Sequence, residues 1–399
     1  MKEKNIFLGR CYQKILKLAM YFLKWPIPNK IEGVNAIEKI PSIIEKEKLS
    51  KVLIIISRKV NSLNNFETVY RGLTEKKIDY VIYDQVNGEP SINEVEKIAK
   101  LYQNSKCDGL IACGGGSITD IAKLVGARVN NPNTSILKMR GNLKIKCRIP
   151  FLLVVPTTAG SGSECTVAAV VTDEEKNDKF AVNDPKLVPN VVVLDPVMII
   201  SLPKNLIAST GMDALTHAVE CYIGKSNTKN TIKWSKEAIA LILENLPKAY
   251  NNPQDVTAKA HMQHASYLAG AAFTRGYVGY VHAVAHAIGG KYHISHGVAN
   301  AIILPYILEM YDDKTKKSLN ELVNGEDFIK IVKDLNAKLE IPTNIKEIEI
   351  EDLPFLIKHI QNETWPLYPV PNYLTNDRIE EMLLKIKGQK SVFSKEKSI

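Results

Sequence analysis

Asp213 and His217 stand four residues apart in the run Thr210-Gly211-Met212-Asp213-Ala214-Leu215-Thr216-His217. On a helix that spacing puts a carboxylate and an imidazole on one face, beside apolar Leu215, Ala218 and Val219. His282 and His286 repeat the spacing, and His296 follows ten residues later, past Gly289-Gly290, which is expected to break the helix. Of the 8 histidines, only His217 and His359 fall outside the segment 260–297. One carboxylate and three imidazoles make an N₃O set suited to a divalent first-row metal, and no cysteine joins them, which removes a simple structural-zinc reading. The chemistry on offer is Lewis-acid activation of an oxygen. Each residue also has an ordinary reading. Asp213 can close a capping box from Thr210, and a lone histidine on an apolar face is more often a satisfied core residue. His261 and His264, flanking Gln263, read as helix-surface residues.

Two small-residue loops offer a second chemistry. Cys113-Gly114-Gly115-Gly116-Ser117-Ile118-Thr119-Asp120 follows a strand-like run and opens a helical one. Three glycines let backbone approach a ligand with no Cβ in the way. Ser117 and Asp120 fit an S-x-x-D capping pair, which leaves backbone N–H groups at the loop for a phosphate. The run is not the G-x-G-x-x-G fingerprint, so alone it reads equally well as a plain turn. In Pro156-Thr157-Thr158-Ala159-Gly160-Ser161-Gly162-Ser163-Glu164, the residues Thr157, Thr158 and Ser161 suit hydrogen bonding to a ribose or diphosphate; the alternative is a polar loop.

The elements that must position these residues change in kind along the chain. Lys51–Ile56, Tyr80–Val86, Gly109–Cys113, Phe151–Val155 and Val191–Leu194 are strand-like, with helical patterns such as Ile92–Asn104 and Ile118–Val129 between some of them. Uniformly apolar strands alternating with helices predict a parallel sheet covered on both faces. After Ser201-Leu202-Pro203 the strand-like runs stop, and 3.6-period segments take over at Ala214–Ile223, Ile232–Ala249, Ala258–Ala272 and Val281–Ala287. The expected division is an amphipathic helical extension over 1–30, an α/β dinucleotide-binding domain over 31–203 and a helical metal-binding domain over 204–399. A length of 399 residues fits such a pair of domains.

The net charge of +9 invites a nucleic-acid reading, but its location argues against one. Residues 1–30 hold Lys2, Lys4, Arg10, Lys14, Lys17, Lys24 and Lys30 against Glu3 alone. Residues 385–399 hold Lys385, Lys387, Lys390, Lys395 and Lys397 against Glu396. The ends therefore carry +10 and the body −1. No basic stripe interleaved with aromatics marks a nucleic-acid face. The apolar run Leu18–Leu23 is shorter than a secretory core, and no stretch is long and apolar enough to span a bilayer. Phe7, Leu8, Cys11, Ile15, Leu18, Ala19 and Phe22 recur at helical spacing with lysines between them. The ordinary reading is a helix packed on its own domain or a sister subunit; the sharper one is a membrane-surface or partner-docking helix. Six cysteines without a C-x-x-C pair read as reduced core thiols of a cytoplasmic protein.

Together and in this order, GGGS-x-x-D, PTTAGSGSE, GMDALTHAVE and HAVAHAIGG…ISHGVANAIILP resemble the iron-containing (group III) alcohol dehydrogenases, which include butanol dehydrogenases and lactaldehyde reductases. The resemblance covers roughly residues 30–388. It implies a dehydroquinate-synthase-like fold, with an α/β nucleotide-binding domain followed by an all-α domain, in a chain that is usually dimeric. It implies metal-dependent hydride transfer between NAD(H) or NADP(H) and a small primary alcohol or aldehyde. Asp213, His217, His282 and His296 match the metal ligands, for Fe²⁺ or alternatively Zn²⁺, and His286 matches a histidine used in catalysis or proton transfer. Gly114, Gly115, Gly116, Ser117, Thr157, Thr158 and Lys179 match nicotinamide-cofactor contacts, and Phe273 a pocket aromatic.

Two departures stand out. Where many relatives carry an Asp that holds the adenosine 2′-hydroxyl, this chain reads Ile56-Ser57-Arg58-Lys59. A lost carboxylate and two gained cations favour a 2′-phosphate, hence NADP(H), with Ser57 and Arg58 as contacts. Phe273-Thr274-Arg275-Gly276-Tyr277 brings more polar bulk than a short-alcohol pocket needs, so Arg275 points to a polar or anionic aldehyde, or else to an ordinary ion pair. A dehydroquinate-synthase-like lyase is disfavoured by the Asp-His-His-His set, and a glycerol-dehydrogenase-like zinc enzyme by His217. A non-catalytic docking protein is disfavoured by the intact ligand positions.

Overall fold

The computed structural model describes residues 3–21, 25–86, 88–176 and 178–389. Lys2 and Lys24 of the basic N-terminal segment, and Lys390, Lys395 and Lys397 of the basic tail, lie outside the described residues.

Among the described residues nine strands run in chain order: β1 (Asn29–Glu32), β2 (Lys51–Ile56), β3 (Asp79–Tyr83), β4 (Gly109–Gly114), β5 (Gly141–Asn142), β6 (Phe151–Pro156), β7 (Ala168–Asp173), β8 (Asp178–Asn183) and β9 (Val191–Leu194). Six form a parallel sheet in the order β1-β9-β6-β4-β2-β3. KVLIII, GLIACG and FLLVVP lack inside–outside alternation because both faces are covered, and each strand is buried almost end to end. On one face Val52, Ile54, Ile111, Cys113, Leu153 and Val155 pack with Phe66, Val69 and Leu73, which lie at the start and along the helix Glu67–Glu75.

The order of the strands sets where a ligand can sit. From β2 the chain steps outward to β3, then returns to lay β4 on the other side of β2 and continues through β6 to β9. The direction reverses between β2 and β4, and in sheets of this kind the carboxyl ends at the reversal open a crevice. Register makes the loops there neighbours. Ile56 lies opposite Cys113 and Gly114 opposite Pro156. Ser57 N–H donates to Cys113 O at 3.0 Å, and Thr157 N–H to Gly114 O at 3.0 Å.

A second sheet, β5-β8-β7, is absent from the sequence expectation. Its strands β7 and β8 form an antiparallel pair of 6 residues each, and β7 is buried only at alternate positions. Its apolar signal is therefore half that of the central strands.

Contacts group Lys24–Pro203 with Asn252–Thr274 into one compact unit, and Met1–Leu23, Lys204–Asn251 and Arg275–Ile399 into another. The α/β unit thus takes in most of the helix Val256–Gly276. Two contacts explain why. Gly270 backbone meets Gly162, where an added Cβ would lie 2.5 Å from Gly162 O, and Gln263 donates to Pro156 O at 3.2 Å. The helical unit holds Lys204–Ile223, Lys229–Asn251, Tyr280–Tyr292, His296–Glu309 and Leu353–Thr364, and the N-terminal helix Glu3–Tyr21 groups with them.

Three local expectations are corrected. The Asp213 helix starts at Lys204, directly after Pro203, so Thr210 lies inside it and bonds Leu206 O at 2.7 Å instead of capping. Gly289-Gly290 does not break its helix, which runs on to Tyr292 and stops where His293 turns left-handed (φ 56). Two glycines cost the helix about 1 kcal/mol each, which packing outweighs. Of the cysteines, Cys107, Cys113, Cys165 and Cys221 are buried, but Cys11 is only partly so and Cys147 is exposed.

Candidate metal and nucleotide sites

Within the helical unit, Asp213, His217 and His282 are buried, and each offers an atom within 4.8 Å of the others. Asp213 Oδ1 lies 4.0 Å from His217 Nδ1, 3.9 Å from His282 Nε2 and 3.5 Å from His296 Nε2. His296 completes the group from a more open position, with its side chain 42% exposed. It reaches Asp213 because Gly297 lets the two helices touch: a Cβ there would stand 2.4 Å from Ser209 O. The four residues that the resemblance matches to metal ligands are thus brought together.

Asn300, one turn beyond His296, marks the point on which they converge. Its Nδ2 lies 2.7 Å from Asp213 Oδ1, 3.1 Å from His296 Nε2 and 3.4 Å from His282 Nε2. Its Oδ1 is buried with no hydrogen-bond partner among the described residues. A carboxylate oxygen and two imidazole nitrogens aimed at one donor form a cation-seeking set, and three imidazoles with one carboxylate suit a divalent first-row ion.

Glu220, which spacing did not single out, fixes the orientation of His282. It is fully buried and accepts from Gly279 N–H at 2.9 Å and Val281 N–H at 2.7 Å, and its Oε2 lies 2.6 Å from His282 Nδ1. With the carboxylate already receiving two backbone N–H groups, Nδ1 is the donor, and Nε2 keeps its lone pair for the cluster. Burial, reinforced by His217, His296 and His286, pulls the His282 pKa well below the ordinary value, so its ring is neutral. Burial pushes Glu220 the other way, to about 7, against the pull of its hydrogen bonds. A signal was present in the sequence: Glu220 lies seven residues after Asp213 and interrupts an apolar helix face.

His286 stands next to the cluster. Its ring stacks on His296, with centroids 5.1 Å apart at 17°, and its Nδ1 lies 2.6 Å from Glu363 Oε1. Tyr368 Oη donates to the same oxygen at 2.7 Å. The Glu363 carboxyl sits below its ordinary range: burial raises it, but His286 and the hydrogen bonds of His286 and Tyr368 outweigh that. Neither Glu363 nor Tyr368 carries a sequence signal, because each meets His286 only through folding.

In the α/β unit the two small-residue loops touch. A Cβ on Gly115 would meet Thr158 at 3.4 Å, and one on Gly116 would meet Ser161 Oγ at 3.0 Å. Gly114 to Ser117, Thr157, Thr158 and Ser161 therefore share one patch at the carboxyl ends of β4 and β6, with Ser57 beside them at the end of β2. The helix Gly116–Asn130 begins there with Gly115 as N-cap and no side-chain cap, so the expected Ser117–Asp120 capping pair is not formed. Free N–H groups at such a start favour an anion.

Asp120 faces inward instead. It accepts from Ser163 Oγ and from Val170 N–H at 3.0 Å, and burial raises its pKa against the pull of Lys123. Lys123, fully buried, ties Ser163 O, Thr166 O and Ala168 O at 2.6, 2.9 and 2.8 Å. These two residues brace the second loop from beneath. Ser57 caps the short helix Arg58–Ser62 by accepting from Val60 N–H at 3.3 Å, and Arg58 and Lys59 are exposed there. Lys179, on β8, is paired with Glu89 at 2.7 Å. Phe273 and Arg275 lie in the last turn of Val256–Gly276, both half-buried.

Among the described residues no helix is long and apolar enough to cross a membrane. Residues 28–196 match the family described as iron-containing alcohol dehydrogenase, and residues 207–386 its C-terminal part. An NADPH-dependent butanol dehydrogenase of Clostridium saccharobutylicum is 33% identical over 352 residues, covering 84% of this chain and 88% of the relative. An NAD-dependent methanol dehydrogenase of Bacillus methanolicus is 31% identical over 348 residues, 83% of this chain and 91% of the relative. A crystal structure of 1,3-propanediol oxidoreductase superposes with a TM-score of 0.87 at 27% identity, and 92% of this chain covers 100% of that one.

Proposed function

The chain belongs to the iron-containing alcohol dehydrogenase family, and on that premise we propose that Asp213, His217, His282 and His296 hold its divalent metal for hydride exchange between NADP(H) and a primary alcohol or aldehyde. The observation that carries this reading is the convergence of three buried donor residues within 4.8 Å, with His282 locked by Glu220 so that its Nε2 faces inward. When bound, the metal supplies Lewis acidity toward an alcohol or carbonyl oxygen, and the nicotinamide supplies the hydride chemistry.

The chain's own residues do the rest. His286 is the catalytic proton carrier. Its Nδ1 donates to Glu363, and its Nε2 takes up the proton of an alcohol, or returns it to an aldehyde being reduced. Glu363 offsets the charge on the resulting imidazolium, and Tyr368 holds Glu363 in place. The Gly114–Ser117 backbone at its helix start receives the diphosphate, and Thr157, Thr158 and Ser161 supply hydroxyl partners. Asp120 acts through the loop it braces. Ser57 and Arg58 take the 2′-phosphate. Lys179 is a further cofactor contact, and Phe273 and Arg275 line the substrate pocket.

Fe²⁺ is the resident ion in this reading, with Zn²⁺ the alternative, since both accept the ligand set. The nearness of His217 to Asp213 and His282 supports a four-residue set over one Asp and two His. We read the enzyme as a cytoplasmic homodimer. Six cysteines without a C-x-x-C pair suit a reducing compartment, and β1 is an edge strand of the sheet among the described residues. The test is an anaerobic assay of the Fe²⁺-reconstituted enzyme with NADH and NADPH over a panel of aldehydes. Turnover with a primary aldehyde is expected; none with any aldehyde, despite bound metal, would overturn the reading.

A further inference from the structure

The helix Glu3–Tyr21 precedes residue 28, where the family match begins, and the whole of 1,3-propanediol oxidoreductase is covered by 92% of this chain. Polar groups on its buried side tie it to the helical unit. Gln13, 6% exposed, donates from Nε2 to Pro366 O at 2.8 Å and Tyr368 O at 2.7 Å. Arg10 donates to Pro371 O at 3.0 Å and lies 4.6 Å above the Tyr373 ring. Gly9 allows this approach, since a Cβ there would stand 2.6 Å from Trp365 Nε1.

The apolar face points outward. Phe7 is 68% exposed, Leu8 51%, Ile15 69% and Leu18 65%. Helices at a globular surface bury such a stripe; one held out by its polar side marks an interaction surface. The stripe is bordered by cations. Lys14 and Lys17 are exposed beside it, Lys17 on the flank nearer the helical unit, where its Nζ donates to Lys225 O at 3.4 Å. Residues 1–30 carry seven bases against one acid, in a chain whose body is −1. A second copy pairing on this stripe would bring like charges together. An apolar face with a lysine border instead complements a surface that is greasy within and negative at its rim.

We propose that the outer face of this helix seats on an anionic lipid bilayer, with Phe7, Leu8, Ile15 and Leu18 entering the headgroup–acyl boundary and Lys14 and Lys17 meeting the lipid charge. The helix lies along the membrane surface and holds the enzyme there without spanning.

The test is flotation of the full chain with vesicles of phosphatidylcholine alone or mixed with phosphatidylglycerol, at low and high salt. The wild type is expected to float with the phosphatidylglycerol vesicles, less so at high salt, and to stay behind with phosphatidylcholine alone. Phe7→Ser/Ile15→Ser/Leu18→Ser and Lys14→Glu/Lys17→Glu are each expected to cut the bound fraction at least about tenfold, with alcohol oxidation unchanged. Wild-type protein that does not float, a measurement independent of any variant, overturns the proposal. So does an apolar-face variant that floats undiminished, or one that sediments as a smaller oligomer, which would put a second copy on the stripe.

Discussion

Nδ1 of His282 sits 2.6 Å from Oε2 of Glu220, a carboxylate that also receives Gly279 N–H and Val281 N–H. All three groups donate, so an acceptor is needed at both oxygens. Glu220→Gln places an NH₂ against one donor and loosens His282. Metal affinity is expected to fall about 10- to 100-fold, with about 1–3 kcal/mol of stability lost. Chelator competition measures the first and urea denaturation the second. Unchanged affinity would mean that Glu220 only closes a turn.

Gly297 tests the geometry without touching a ligand. A Cβ at this position meets Ser209 O at 2.4 Å and Ser209 C at 2.8 Å, both backbone. Gly297→Ala is expected to push the His296 helix off the Asp213 helix and lose bound metal while circular dichroism stays helical. Full metal content in Gly297→Ala would show that the close approach is dispensable.

Glu363 gives a pH prediction whose sign follows from its lowered pKa. A carboxyl depressed on folding contributes stability above its unfolded pKa, and loses it as pH falls through the folded value. The Tm advantage of the wild type over Glu363→Gln should therefore be full at neutral pH and shrink below about pH 4.3, the ordinary range of a glutamate. A gap constant from neutral pH down to acid would assign Glu363 a purely packing role. Loss of the carboxylate should also distort the pH profile of alcohol oxidation through His286.

Much of this was legible in the sequence, for physical reasons. β2, β4 and β6 announce themselves because burial on both faces demands unbroken apolar runs, and Asp213 with His217 shows because i,i+4 is one helix face. The β7–β8 pair was not legible: β7 is buried only at alternate positions, so AAVVTD lacks the unbroken apolar run that marks the central strands. Ser117–Asp120 was misread as a cap because the helix begins on glycine and Asp120 turns inward to Ser163. Asn300 lies four residues from His296 and was open to the same spacing argument, whereas Glu363 reaches His286 across 77 residues and no local pattern could show it.

Arg58 and Lys59 bear on cofactor choice. The wild type is expected to favour NADPH in kcat/KM. Arg58→Ala should lower the NADPH value about 10- to 100-fold, the size of one charge-assisted hydrogen bond at ~1.5–3 kcal/mol, and leave NADH nearly unchanged. A wild type that favours NADH would remove the 2′-phosphate argument.

Metal stoichiometry tests most directly whether four side chains hold one ion. The chain is reconstituted with Fe²⁺ without oxygen, desalted and analysed for metal beside His217→Ala. The wild type should keep about one ion per chain, and His217→Ala should keep little or none while remaining folded. Equal metal content in both would contradict the four-ligand site.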